Sequence, residues 1–529
     1  MSTRDKDDKD DVKSPKHATT AKHDRDDRDE MTRDDDDDGG GRGSKKHEGS
    51  TKQGTLKSQK TDGKLFPPYR VKEGKENEVK GPRPPTAKKG AVEKQSPTSH
   101  TKKTKEGGGS AGDPVKFIKY GPTDTKAGAT VSDVAADISG AQNSGDVVMH
   151  TGNWYADVSV DSAGTWTRYD PTTLFPNNLG ASFCCDQIVQ YVPSIDRFIW
   201  FMQHTKGADG SGVFRIAVAS PANMKSNFAS AWVYWDFHAD DFGLKGHDFD
   251  YPDLSFTNDF LHFCTDDTTL VKLLVGRIPL KDLAGGGSIG YRYNHPNDAP
   301  SDYGTHLAQN GQDAAFWAGH KDNATLYVFH WLDSSDNYSW TEVPVSKYPN
   351  GTLSGTSPGG VDWLNKLNNF PGFGVIGATR SRNTLWFAWS ASNGQADPSG
   401  PTYKNAHVRV AEVDITTMKT TGEIQIWNND YAFAYPSLST NSHGDVGIAL
   451  GWGGKNNHAN AAVGILGDYV VWFENGSETT TKRWGDYVTC RGLGGDSQRF
   501  AGFAYYIKKD STRASGYYFD PYYVLFGRS

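Results

Sequence analysis

Three observations predict an all-β chain, a six- or seven-bladed β-propeller preceded by a long disordered N-terminal tail. One strand–turn–strand phrase occurs twice, an aromatic-rich region carries few helical periods, and units of roughly 60–70 residues recur along it. The first copy lies between Gly246 and Phe263. There Tyr251-Pro252-Asp253-Leu254-Ser255 opens a strand, Thr257-Asn258-Asp259 turns, and a second strand follows. The second copy is Tyr435-Pro436-Ser437-Leu438-Ser439, then a turn at Ser442–Asp445 and a strand from Val446 to Leu450. Proline is tolerated where a strand starts because that residue can forgo its ladder donor.

Composition divides the chain near residue 112. Residues 1–112 are Lys, Asp, Glu, Gly, Ser and Thr with almost no apolar content, and every tryptophan lies beyond them, starting at Trp154. Such a stretch cannot bury enough apolar surface to offset its conformational entropy, so it is expected to be a disordered, charged, low-complexity tail. Its single apolar island is Leu65-Phe66-Pro67-Pro68-Tyr69. Residues 113–529 are expected to form the propeller domain. The net charge of −7 is modest and predicts no nucleic-acid partner for the globular part. No apolar run is long enough to span a membrane, and Met1–Asp7 lacks the apolar core of a secretory signal. The expectation is a soluble protein of open localisation, extracellular or surface sites included. The four cysteines (Cys184, Cys185, Cys264 and Cys490) have neither zinc spacing nor the density of a disulfide framework, and are read as buried free thiols.

The units follow in order. Val147–Met149 and Trp154–Val160 belong to the first. The second opens at Cys185-Asp186-Gln187, turns at Pro193–Asp196 and ends with Trp232–Phe237. The third is the first copy of the repeated phrase plus Leu270–Val275. The fourth starts near Thr305-His306-Leu307, and the fifth holds Gly374–Ala378, Thr384–Trp389 and Val408–Val413. The sixth is the second copy, and the last starts at Trp484-Gly485-Asp486-Tyr487. The C-terminal Tyr522–Phe526 is expected to pair back to the first unit, closing the ring and removing exposed edges.

Ser159-Val160-Asp161-Ser162-Ala163-Gly164-Thr165-Trp166 resembles the Asp-box of the sialidase-like BNR-repeat β-propeller superfamily, with the glycine displaced by one. Ser334–Thr341 is a shortened echo. The resemblance implies a propeller in which these hairpins are structural, the Asp capping its own turn and the Trp packing between sheets. Arg277-Ile278-Pro279 looks like the sialidase R-I-P signature but falls mid-domain, and no arginine triad or Tyr/Glu pair can be placed. Sialidase chemistry is therefore not carried over.

The turns leading into the innermost strands bear Asp186, Asp250, Tyr251, His306, Tyr435, Asp486 and Tyr487 at corresponding points of their units. A propeller converges such positions on one end of its axis. Asp186, Asp250, Tyr251, Asp486 and Tyr487 are the candidate catalytic residues. Arg491 and Arg380, able to hold a carboxylate by two parallel hydrogen bonds, join His306 and Tyr435 as candidate substrate binders. Three functions fit: a glycoside hydrolase with axial acids and a tyrosine; a polysaccharide lyase using Arg, His and Tyr on a uronate; and a non-enzymatic propeller binding glycan or protein, with Ca²⁺ on axial carboxylates as its one candidate cofactor. A glycan or polysaccharide is the expected partner.

Overall fold

Alternating apolar and polar residues, broken by Gly, Asn and Asp turns, build seven antiparallel sheets set around one axis as the blades of a β-propeller. The computed structural model describes residues 46–70, 115–120, 137–364, 374–467, 470–495 and 497–528. From the axis outward, blade one is Ser139–Gln142, Val148–Gly152, Tyr155–Ser159 and Thr167–Tyr169; blade two is Phe183–Val192, Arg197–His204, Val213–Ala219 and Val233–His238. Blade three is Phe249–Phe256, Phe260–Asp267, Lys272–Pro279 and Ile289–Asn294; blade four contains Ala314–Asp322, Thr325–Leu332 and Tyr338–Pro344. Blade five is Gly377–Ser381, Thr384–Ala391, His407–Asp414 and Lys419–Ile426. Blade six is Tyr431–Thr440, Val446–Gly454, Asn457–Ile465 and Val470–Phe473. Blade seven contains Thr489–Gly492, Arg499–Lys509 and Tyr517–Arg528.

Three blades gain an outer strand from the stretch expected to be unstructured. Lys46–Gly49 pairs with Tyr338–Pro344 of blade four, Thr51–Leu56 with Ile289–Asn294 of blade three, and Gln59–Lys60 with Val233–His238 of blade two. The apolar island then seats on blade two: Phe66 N–H donates to the Thr173 carbonyl at 2.9 Å, and the Tyr69 carbonyl accepts from Phe183 N–H at 2.9 Å. Composition is silent about this strap because an outer strand binds through its backbone and needs no apolar side chains. The expected boundary at residue 112 is corrected to this extent; residues 1–45 and 71–114 lie outside the described residues. The closure also differs from expectation. Tyr517–Arg528 pairs with Val115–Tyr120, which becomes the outer strand of blade seven, and not with the sheet of blade one.

The repeated phrase has a structural meaning. Its third and fifth residues hold the backbone of the next blade's innermost segment. Ser437 Oγ accepts from Cys490 N–H at 3.0 Å and Ser439 Oγ from Gly492 N–H at 2.8 Å. In the other copy, Asp253 Oδ2 accepts from Leu307 N–H at 3.0 Å and Ser255 Oγ donates to the Ala308 carbonyl at 2.6 Å. Similar stitches join blade one to two (Val189 N–H to Ser139 Oγ, 3.0 Å) and seven to one (Thr489 Oγ1 to the Ile138 carbonyl, 2.9 Å).

The tyrosine of each copy sits in the left-handed region, φ 55° for Tyr251 and 56° for Tyr435, and the ladder shifts register there. Cys185, with φ 69°, occupies the same phase of blade two. These bulges turn the strand and re-aim the side chains at its start toward the axis. The reading of four free thiols is corrected here as well. Adjacent Cys184 and Cys185 form a disulfide, while Cys264 and Cys490 are free and buried.

Candidate functional site

At the end of the axis where the innermost strands begin, the turns of four blades bring carboxylates together. Asp186 (blade two) and Asp486 (seven) are buried, Asp137 (one) is fully buried, and Asp250 (three) keeps part of its surface in solvent. Asp137 Oδ1 accepts from Asp486 N–H at 2.6 Å. Asp250 Oδ1 accepts from Gln203 Nε2 and from Tyr251 N–H, each at 2.9 Å. One guanidinium serves the group: Arg483 Nη2 donates to Asp486 Oδ2 at 2.7 Å.

Burial, reinforced by like charge, sets the protonation of these acids. Desolvation and the neighbouring Asp486 push Asp137 up to about 7. Burial raises Asp250 to about 6, against the pull of its hydrogen bonds from Gln203 and Tyr251. Asp186 is raised well above the usual carboxylate range by burial, then by the charges of Asp250, Asp137 and Asp486. The group therefore holds protonated acids beside an arginine-paired carboxylate, an arrangement suited to proton donation near neutrality.

Below the acids the axis is lined with rings. Tyr251 stacks on His306 with centroids 4.7 Å apart, and Tyr487 closes the trio at 6.0 Å from each. Tyr251 Oη donates to the Asp486 carbonyl at 3.4 Å, while the Tyr487 hydroxyl and His306 Nε2 are buried without a partner. Burial raises both phenols and lowers His306, so all three rings are neutral. Tyr435 lies to one side, 5.3 Å from Trp484 and 6.1 Å from Trp363.

Asp186, Asp250, Tyr251, His306, Asp486 and Tyr487 thus share one end of the axis, with Tyr435 at its edge. The two arginines do not join the acids. Arg491 sits deeper, its Nη2 3.9 Å from Asp253 Oδ1, and lines a space of about 20 Å³ with His306 and Tyr487. Arg380 belongs to the opposite end, where it donates to the Gly311 carbonyl at 2.8 Å and pairs with Asp313. Among the described residues no group of three or more His, Cys, Asp or Glu is disposed to hold a metal ion. Sequence reasoning missed Asp137 and Arg483. Asp137 precedes the short first strand of blade one, where no strand rhythm is visible, but with φ 37° it stands at the phase of Cys185, Tyr251 and Tyr435.

The Asp161 hairpin joins the third and fourth strands of blade one. Asp161 Oδ1 accepts from Thr165 N–H and Ser159 Oγ, each at 2.8 Å, and Oδ2 from Thr165 Oγ1 at 2.7 Å, which holds the carboxyl down at about 2. The shortened echo is built differently. Asp336 is exposed and pairs with Arg292 at 3.0 Å and Arg277 at 3.8 Å, and Ser335 Oγ caps that turn instead. Arg277 is far from the axis; it donates to the carbonyls of Leu332 and Ser335 and lies over the rings of Phe260 and Trp331.

No protein-family model matches this chain, and no curated protein matches it. It is similar to several solved propellers at low identity. An α-L-arabinanase of Penicillium chrysogenum complexed with arabinobiose shares 9% identity over 78% of this chain and 97% of that one, with a TM-score of 0.33. The hemagglutinin-neuraminidase of Parainfluenza Virus 5 shares 10% over 76% and 93%, TM-score 0.33. An exo-β-1,3-galactanase from Phanerochaete chrysosporium shares 10% over 78% and 96%, TM-score 0.30. No helix among the described residues is long and apolar enough to cross a membrane.

Proposed function

We propose that this chain is a carbohydrate-active propeller, a glycoside hydrolase whose reaction takes place among the acids at the leading end of the axis. The observation that carries the reading is four carboxylates from four blades gathered at one end of the axis, one of them paired with the Arg483 guanidinium. A glycosidase needs one carboxylic acid to protonate the leaving oxygen and one carboxylate to act as base or nucleophile. Asp250, raised to about 6 and partly open to solvent, is the general acid; Asp186 and Asp137 are the acids behind it. Asp486, held by Arg483, is the carboxylate. Tyr251, Tyr487 and His306 pack beneath the acids and hold their turns in place.

The test is release of reducing ends from a panel of polysaccharides by the wild-type chain and by Asp250→Asn and Asp486→Asn. Each variant should lose roughly 10²–10⁴-fold in rate at unchanged melting. Undiminished activity in both would sink the assignment. One observation favours a second reading, a propeller that binds glycan without cleaving it. Asp137, Asp186 and Asp486 are buried, which leaves Asp250 as the one acid of the four with surface open to a bound glycan. Saturable glycan binding with no released ends would select it.

A further inference from the structure

At the opposite end, where the innermost strands finish, the turns of six blades surround a cavity of about 400 Å³. Such a volume suits a small polar ligand. Arg491 stands in its wall with Arg382, Gln190, Gln309 and Asn441, and among the described residues no carboxylate lines it. The side chain of Arg491 is nearly all buried, at 8% exposure, yet poorly matched. Its Nε has no partner, its Nη1 reaches only the Cys490 carbonyl at 3.4 Å, and its Nη2 is 3.9 Å from Asp253 Oδ1, beyond a hydrogen bond. A guanidinium taken out of water is costly unless an anion or several acceptors meet it. Gln190, 6% exposed, carries the complementary defect, for its Oε1 is a buried acceptor with no donor.

A ligand that mends both must present an anion to Arg491 and an O–H group to Gln190. A planar carboxylate suits the guanidinium fork, and hydroxyls suit the amides around it. We propose that this cavity is a binding site for an acidic monosaccharide unit, a uronate, separate from the acids at the leading end. It uses none of the residues assigned to hydrolysis, so the two readings stand or fall apart.

The experiment is calorimetric titration of the full chain with sodium glucuronate, beside glucose and inorganic phosphate. Glucuronate should bind saturably, while glucose and phosphate bind at least roughly tenfold more weakly. Gln190→Leu and Arg382→Ala, both compatible with folding, should each weaken glucuronate binding, and Arg491→Met should abolish it. Added salt should weaken it too, since the charge is read electrostatically. The inference is overturned by no saturable heat with glucuronate, by equal binding of glucose, or by affinity indifferent to both Gln190→Leu and Arg382→Ala. Equal binding of phosphate would also overturn it, leaving a site for small anions in general.

Discussion

The acids at the leading end give the molecule a definite pH signature. Asp137 ionises at about 7 and Asp250 at about 6 when folded, against an ordinary value of 3.8. The folded chain thus binds these protons more tightly than the unfolded chain. Their contribution to stability is fully present below about pH 4 and is lost as pH rises through about 7. Melting temperature should fall between about pH 4 and 7, and Asp137→Asn should flatten that slope; a slope unchanged in the variant would show that other groups cause it. Asp161 runs the other way. Held at about 2, it supports its turn above the ordinary carboxylate range and stops doing so as pH falls through about 2. Cysteine chemistry gives another residue-level test. Titrated in denaturant without reductant, the chain should show two reactive thiols, Cys264 and Cys490, and four after reduction. Most of the acid group was legible in the sequence, because Asp186, Asp250 and Asp486 all lie at the entry to the innermost strands. The arginines were not, since a strand-end guanidinium carries no sign of which end of the axis it faces.

Between strands, the repeated Y-P-x-L-S phrase is where sequence and fold agree most closely. The proline is not the strand opener the pattern suggests: Pro252 and Pro436 lie inside Phe249–Phe256 and Tyr431–Thr440, at the register shift where the ladder donor is not needed, and the pattern alone does not say why serine follows leucine. The reason lies in the neighbouring blade. Ser439 Oγ satisfies Gly492 N–H and Ser437 Oγ satisfies Cys490 N–H, both in the partly buried seam between blades. A contact so far apart in sequence leaves no local periodicity to read. Ser437→Ala or Ser439→Ala should each cost about 1–3 kcal/mol, the penalty of a buried donor left unpaired. Chemical denaturation measures it, and a cost near zero for both would mean that the innermost strands are held by packing alone. The alternation of apolar residues placed most strands well. It could not place Val115–Tyr120, whose partner lies some 400 residues away in Tyr517–Arg528.

At the scale of the whole molecule, the strap is the feature that composition concealed. Lys46–Gly49, Thr51–Leu56 and Gln59–Lys60 cover the outer edges of three consecutive blades, and the Leu65–Tyr69 island fastens the strap against blade two. Tyr69 stacks on His204 with centroids 6.1 Å apart. The glycines of the strap are fitted to their places. A Cβ on Gly49 would fall 2.2 Å from the Tyr338 ring, and one on Gly54 2.2 Å from the Tyr291 hydroxyl. These positions demand close backbone approach, which a free tail would not. Without the strap, Tyr338–Pro344, Ile289–Asn294 and Val233–His238 become bare edges, each a template for pairing with another chain. A chain starting at residue 46 should therefore melt like the full chain, whereas one starting at residue 71 should melt lower and aggregate on heating. Each 1 kcal/mol lost lowers the midpoint by about 2–4 °C in a domain of 150–250 residues, and by less in a larger one. Replacing Gly49 and Gly54 by Val in the full chain should reproduce part of that loss, which separates seating of the strap from its mere presence. Identical melting for the chains starting at residues 46 and 71 would reduce the strap to a passive covering and return the N-terminal boundary toward residue 112.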